Sequence, residues 1–376
     1  MNKRIMLSLP HVGGNEQKYI NEALADNWIV PLGPHVNLFE KMLGEFLHAN
    51  NVVALSAGTA AIHLGLLMAG VSKGDEVICQ SFTFSASANP ILYQGASPVF
   101  VDSEPDTWNI DPDLLRKAII DRHAKTGRYP KAIVPVHLYG MPAKMDRIME
   151  IAEEFNIPVV EDAAEALGST FKGQYCGTFG RYGVLSFNGN KMITTSGGGA
   201  LICPSEETAR RALFFATQAR ENRPYYYHNH VGYNYRLSNI SAAIGCGQME
   251  VLGDHLSRRR QIHSFYSGAF QNHPFITVKE NPSDDYNSNF WLTTITLADN
   301  APVTADELRQ KLNDMNIETR LLWRPMHMQP IFADAPAYTN GVSTDLFNRG
   351  LCLPSGPSLT DSDVQTVINA IKQICR

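Results

Sequence analysis

At 376 residues the chain is too long for one small core and suits a large domain with a smaller one. Hydrophobic residues make up 44% and charged residues 18%, an ordinary globular balance in which disorder is not the default for any long segment. The net charge of -5, with no long basic block, argues against nucleic acid or an anionic membrane as a general partner. The one basic cluster, Arg258-Arg259-Arg260, is expected to solvate a helix face.

Six cysteines lie far apart with no C-x-x-C pair, so neither a zinc site nor a disulfide framework is signalled, and a reducing cytoplasm fits. Lys3 and Arg4 precede too short an apolar run for a signal peptide, and no 18-residue apolar stretch suggests a membrane span. His228-Asn229-His230 looks like a metal pair but lacks a third clustered ligand.

In chain order, residues 11–49 read as two helices, the first with Ile20, Leu24 and Trp28 on one face and the second through Phe39, Met42, Leu43 and Phe46. These helices are expected to cover the main domain or reach a partner subunit. From residue 51, strand and helix alternate. Strands are expected at 51–55, 76–79, 98–101, 131–136, 157–160, 183–187 and 200–203, with helices at 60–69, 112–120 and 145–155 between them. This rhythm predicts an α/β domain whose largely parallel sheet presents ligands at the carboxyl ends of its strands. Stretches 206–221 and 238–270 read as helical, the second long enough to link two domains. A strand at 290–297, a capped helix at 304–315 and a closing helix at 361–374 predict a smaller α+β unit. The expected division is 1–250 and 251–376.

The chemistry centres on Ser186-Phe187-Asn188-Gly189-Asn190-Lys191, followed by Gly197-Gly198-Gly199. Only roughly one lysine in a few thousand is neutral at pH 7. Condensation with an aldehyde cofactor in a partly desolvated pocket removes that handicap. Pyridoxal 5'-phosphate fits such a lysine. It also needs an acid for the pyridine nitrogen, an anion cradle and a flat surface for its ring. Asp162, ending a buried strand, suits the acid, and it equally suits the cap of a following helix. Ser56-Ala57-Gly58-Thr59 turns a strand into a helix and points backbone N–H groups at one spot, to which Ser186 could add a hydroxyl. Phe84 could cover the ring or belong to the core.

The ordered set Ser-Ala-Gly-Thr, Glu-Asp-Ala-Ala-Glu-Ala, Ser-Phe-Asn-Gly-Asn-Lys and Gly-Tyr-Asn-Tyr-Arg-Leu-Ser-Asn resembles the DegT/DnrJ/EryC1/StrS family, from about residue 8 to the C-terminus. Those are nucleotide-sugar aminotransferases of the aspartate-aminotransferase fold (fold type I), with a large, mostly parallel seven-stranded sheet. The resemblance implies that Lys191 holds pyridoxal 5'-phosphate as a Schiff base. Asp162 would pair with the ring nitrogen, Glu165 would lie near the 3'-hydroxyl, and Phe84 would stack on the ring. It implies too that Gly58, Thr59 and Ser186 bind the phosphate, and that Asn234 reaches the cofactor phosphate of a neighbouring subunit in a homodimer. Many relatives carry glutamine at the place of Glu165. The segments 322–330 and 350–356 are similar to the subgroup acting on UDP-linked 4-keto-6-deoxy-N-acetylhexosamines (bacillosamine-pathway type), which makes Arg324 and His327 candidate substrate contacts. The expected activity is a ping-pong transamination from L-glutamate to C4 of such a sugar, for bacterial surface-glycan or glycoprotein biosynthesis. The alternative is a GDP- or dTDP-linked keto-sugar aminated at C3 or C4.

Overall fold

The computed structural model describes residues 4–376. Its main sheet is built from β1 (Val52–Leu55), β2 (Glu76–Gln80), β3 (Ser97–Val101), β4 (Ala132–Val134), β5 (Val160–Asp162), β6 (Tyr182–Ser186) and β7 (Gly199–Ile202). The spatial order is β1-β7-β6-β5-β4-β2-β3. Two four-stranded ladders meet where parallel bridges Ile133–Val159 and Val136–Asp162 join β4 to β5. Every neighbouring pair is parallel except those made by β7, which runs antiparallel to β1 and β6. A short strand far along the chain, Ala337–Tyr338, adds in parallel to β3. This mixed sheet with one reversed strand is the fold type I arrangement.

Helices cover both faces, as a sheet of short, continuously apolar strands requires. On one face the helix Gly58–Met68 packs Ile62 and Leu66 against Leu55, Val77, Val184 and Leu201. On the other, Pro112–Thr126 and Met145–Glu154 pack Ile119 and Ile148 against Ile78, Val99 and Ile133. The first of these is fixed at both ends. Asp111 accepts the N–H groups of Asp113 and Leu114, Pro112 opens the helix, and Gly127 ends it with φ 71°.

Beyond residue 270 a second, antiparallel sheet forms in the order Ile276–Val278, Thr293–Leu297, Gly350–Leu353, Arg320–Leu321. It has its own core of Ile262, Tyr266, Ile295, Leu308, Leu351 and Val367. The capping box of Thr304 and Glu307 starts the helix Ala305–Asp314 as its sequence pattern demands.

Several expectations change in detail. The stretch 238–270 is two helices, Asn239–Glu250 and Leu252–Phe270, divided at Val251, whose ψ of 6° leaves the helical range. The expected strand at 290–297 starts only at Thr293, because Phe290 has φ 46°. In the helix Glu16–Ala25 the buried positions are Glu16 and Ala23, while Leu24 and, just beyond the helix, Trp28 stand exposed. No described residue covers that apolar stripe. Arg259 does not solvate a helix face: it is 1% exposed and donates to main-chain oxygens of Trp291 and Ser355. No helix of the described residues is long and apolar enough to cross a membrane.

Candidate active site

The carboxyl ends of β1, β2, β5 and β6 open on one edge of the main sheet, where β7 also begins. Between that edge and the second sheet lies a cavity of about 410 Å³. Gly58, Thr59, Phe84, Asp162, Glu165, Ser186 and Lys191 all line it. They come from four separate strand ends and the loops that follow them, so their meeting is a property of the topology.

Lys191 Nζ stands 3.4 Å from Glu165 Oε1 and 4.1 Å from the centre of the Trp291 ring, with the side chain only 14% exposed. Glu165 is itself buried, and its other oxygen accepts the Tyr139 N–H at 2.7 Å. Burial pushes the Glu165 carboxyl above its ordinary range, and the Asp162 charge adds to the rise. Lys191 and the Tyr139 N–H pull the other way without cancelling it. Tyr139 adopts φ 54° to deliver that N–H, and Gly140 follows at φ 90°, where a side chain would collide with Asn289. Asp162 Oδ1 accepts the Ala164 N–H at 3.1 Å and Oδ2 the Ser87 hydroxyl at 2.7 Å.

The helix Gly58–Met68 begins without any side-chain cap, leaving its first N–H groups directed at the cavity edge. A Cβ added at Gly58 would sit 3.0 Å from Ser186 Cβ, and one at Gly199 would lie 2.4 Å from Gly58 N. The backbone and the Ser186 hydroxyl therefore form a cradle that larger residues would fill. Such a cradle fits a phosphate. A buried carboxyl pair, a shielded amine and aromatic surfaces from Phe84 and Trp291 fit a flat, cationic heteroaromatic aldehyde. The donor set thus suits pyridoxal 5'-phosphate on its chemistry alone.

Three candidates lie outside this cavity. Arg324 is exposed and borders an adjoining hollow of about 240 Å³, which shares Phe84 and Trp323 with the main cavity. His327 Nδ1 is 2.6 Å from Ser81 Oγ at the end of β2, and burial lowers its pKa, favouring the neutral ring. Asn234 is exposed, and its main chain bridges Thr217. His228 bonds the Gln218 carbonyl and His230 meets Phe214 and Phe215 edge-on.

Among the lining residues that sequence reasoning missed are Ser87, Trp291 and Arg320, and Trp323 of the 322–330 segment lines the cavity as well. Arg320 is the one guanidinium lining the cavity among the described residues, bonded on one side to Glu318 at 3.1 Å. Trp323 Nε1 is buried with no partner among the described residues. A larger groove of about 930 Å³ opens elsewhere, between residues 105–108 and 277–282. Its cations are engaged, Arg349 with Asp345 and Lys279 with the Asp106 carbonyl, and it holds none of the candidate chemistry.

Along almost its whole length the chain is similar to known proteins. The model of the DegT/DnrJ/EryC1/StrS aminotransferase family matches residues 10–372. EpsN of Bacillus subtilis (strain 168), proposed as a pyridoxal phosphate-dependent aminotransferase, is 48% identical over 375 residues, spanning 99% of this chain and 96% of its own. A GDP-perosamine synthase of Escherichia coli O157:H7 is 38% identical over 371 residues, 99% of this chain and 98% of its own. Among solved structures, a DegT DnrJ EryC1 StrS aminotransferase from Brucella abortus superposes with TM-score 0.89 at 31% identity, covering 96% of this chain and 95% of its own. The PLP form of Spr1654 from Streptococcus pneumoniae, a proposed sugar aminotransferase, superposes with TM-score 0.91 at 26% identity over 99% of both chains.

Proposed function

The chain belongs to the DegT/DnrJ/EryC1/StrS aminotransferase family, whose members use pyridoxal 5'-phosphate, and from that membership we propose its particular reaction. It transfers the amino group of L-glutamate to C4 of a UDP-linked 4-keto-6-deoxy-N-acetylhexosamine, for a bacterial surface glycan or glycoprotein sugar. The observation that carries the chemistry is the shielded Lys191 amine beside the buried Glu165 and Asp162 in one cavity with an uncapped helix start.

When bound, the cofactor draws electrons from the carbon that bears the migrating amine. The protein's part follows from its residues. The Gly58 and Thr59 N–H groups and the Ser186 hydroxyl hold the phosphate. Asp162 keeps a proton on the ring nitrogen, Glu165 bonds the phenolic oxygen, and Phe84 covers the ring. Lys191 anchors the cofactor and, once released, carries the proton to and from the donor's α-carbon. Arg320 supplies the positive charge that a donor carboxylate needs. Arg324, His327 and the unpartnered Trp323 N–H are suited to the diphosphate and sugar.

A second copy of the chain would complete the site. Asn234 is exposed and is not among the residues lining its own cavity, and Leu24, Trp28, Ile29 and Leu32 form an exposed apolar segment near the N-terminus. A homodimer that covers this segment and lends Asn234 to the opposite phosphate accounts for both.

The likeness to GDP-perosamine synthases favours one other reading, a GDP-linked 4-keto sugar as acceptor. The deciding assay gives the purified holoenzyme L-glutamate with UDP-, GDP- and dTDP-linked keto-sugars in turn and follows 2-oxoglutarate. Preference for the UDP-linked N-acetyl sugar is expected. Turnover confined to the GDP-linked sugar would move the assignment to the perosamine type, and no turnover with any of them would reject both.

A further inference from the structure

The turn between β2 and the helix Asn89–Tyr93 does more than present Phe84. Ser87 Oγ lies 2.7 Å from Asp162 Oδ2 and 2.7 Å from Thr83 Oγ1. Exposure is 1% for Ser87, 1% for Thr83 and 4% for Asp162, so water does not compete for these bonds. A hydroxyl has one proton to give, and an ionised carboxylate only accepts. Ser87 therefore spends its proton on Asp162, and Thr83 must donate to Ser87. The chain of bonds runs in one direction, Thr83 to Ser87 to Asp162.

The turn does not need these hydroxyls to close. Its backbone is already held by Thr83 N–H to Ser81 O at 3.0 Å and Ser87 N–H to Phe84 O at 3.1 Å. What the hydroxyls add is a fixed carboxylate. Oδ1 is tied to the Ala164 N–H and Oδ2 to Ser87, so the carboxylate plane cannot turn without breaking a bond.

We propose that Ser87, backed by Thr83, is a positioning residue that holds the Asp162 carboxylate turned toward the ring nitrogen of the cofactor. This rests on the assignment of Asp162 to that nitrogen. It joins two functions in one segment, because the turn that covers the ring with Phe84 also sets the acid that grips its nitrogen.

The test compares pyridoxal 5'-phosphate with its deaza analogue, in which the ring nitrogen is a C–H group, by titrating stripped full-length protein and reading bound absorbance. Wild type should bind the natural cofactor the more tightly. Ser87→Ala should weaken that binding about tenfold, the worth of a bond to a charged group, and leave affinity for the analogue unchanged. Ser87→Thr should restore discrimination, and the near-isosteric Thr83→Val should shift it in the same direction by less. Equal weakening for both ligands would reduce Ser87 to a structural role and overturn the proposal, as would no change for either. Wild type that does not distinguish the ligands would overturn the Asp162 assignment and this inference with it. Discrimination undiminished in Ser87→Ala would overturn this inference alone.

Discussion

Arg259 Nη2 donates to the main-chain oxygen of Lys191 at 3.4 Å, across 68 residues of sequence. The same nitrogen reaches Ser8 Oγ at 3.1 Å, and Nη1 reaches the carbonyls of Ser355 and Trp291. Not one of these partners is a carboxylate. Burial pulls the guanidinium down to about 9, which still leaves it charged at neutral pH. One cation thus ties together the loop of the proposed anchoring lysine, the N-terminal segment, the tryptophan beneath the amine and the second sheet.

Removing that cation should loosen the site and the fold together. Arg259→Met leaves several buried acceptors unpaired, each worth about 1–3 kcal/mol, so a loss of about 3 kcal/mol is expected in urea unfolding. Bound-cofactor absorbance should fall in parallel. Arg259→Lys keeps the charge but not the planar fork and should recover only part of the loss. Wild-type stability in the methionine variant would show that the four contacts contribute nothing net.

The phosphate cradle predicts a loss confined to ligands that carry a phosphate. An alanine methyl at Gly58 would meet Ser186 Cβ at 3.0 Å and Oγ at 3.3 Å, inside the space an anion needs. Alanine is a good helix former, so the fold should tolerate it. Affinity for pyridoxal 5'-phosphate should drop at least about tenfold, while affinity for pyridoxal changes by less than about twofold. Matching losses for the two ligands in a spectroscopic titration would disprove the cradle.

Glu165 should impose a pH dependence on the stability of the cofactor-free protein. Its folded pKa stands above the 4.5 of an unperturbed glutamate, chiefly through burial. Between the unfolded and folded values the folded state holds the extra proton, so stability falls as pH rises through that window and stays lower above it. Glu165→Gln removes the group. The variant's stability relative to wild type should therefore increase as pH rises from 4.5 and level off above the folded pKa. Paired urea titrations across pH measure this, and a difference that is flat or shrinks with pH would contradict it.

What was legible beforehand were the groups carried by short local signals at strand ends. Gly58 and Thr59 announce themselves as a strand turning into a helix, Asp162 as a charge ending a buried strand, and Lys191 as a lysine amid small polar residues. Each reached the same cavity because an α/β sheet gathers its carboxyl ends on one edge. Trp291, Arg320 and Ser87 carry no such signal. Arg320 arrives on a two-residue strand of the second sheet, too short to show periodicity, and Trp291 lies just before the strand Thr293–Leu297, where φ 46° at Phe290 breaks the strand expected from 290. Ser87 looks like any turn hydroxyl until β5 is brought beside it. Arg259 misled for a related reason: three consecutive arginines resemble a solvated face, yet helical geometry turns the middle one inward. The outward stripe of Leu24 and Trp28 is the opposite case, apolar spacing that no described residue covers.

That uncovered stripe and the exposed Asn234 lead to a prediction about two chains together. If each site takes Lys191 from one copy and Asn234 from the other, Lys191→Ala and an inactivating change at Asn234 such as Asn234→Asp should complement. Asn234→Asp places a negative charge against the phosphate and should cost at least about 2 kcal/mol of cofactor binding. In a heterodimer of the two variants both lesions fall in one site and the other is intact. Random pairing makes half the dimers mixed, so a coexpressed pair should recover about a quarter of wild-type turnover, where each variant alone has almost none. Trp28→Glu, which buries a charge in the proposed interface, should convert the dimer to monomer in light scattering and abolish complementation. Two inactive variants that stay inactive when coexpressed, in mixed dimers verified by tag capture, would mean that each chain builds its site alone.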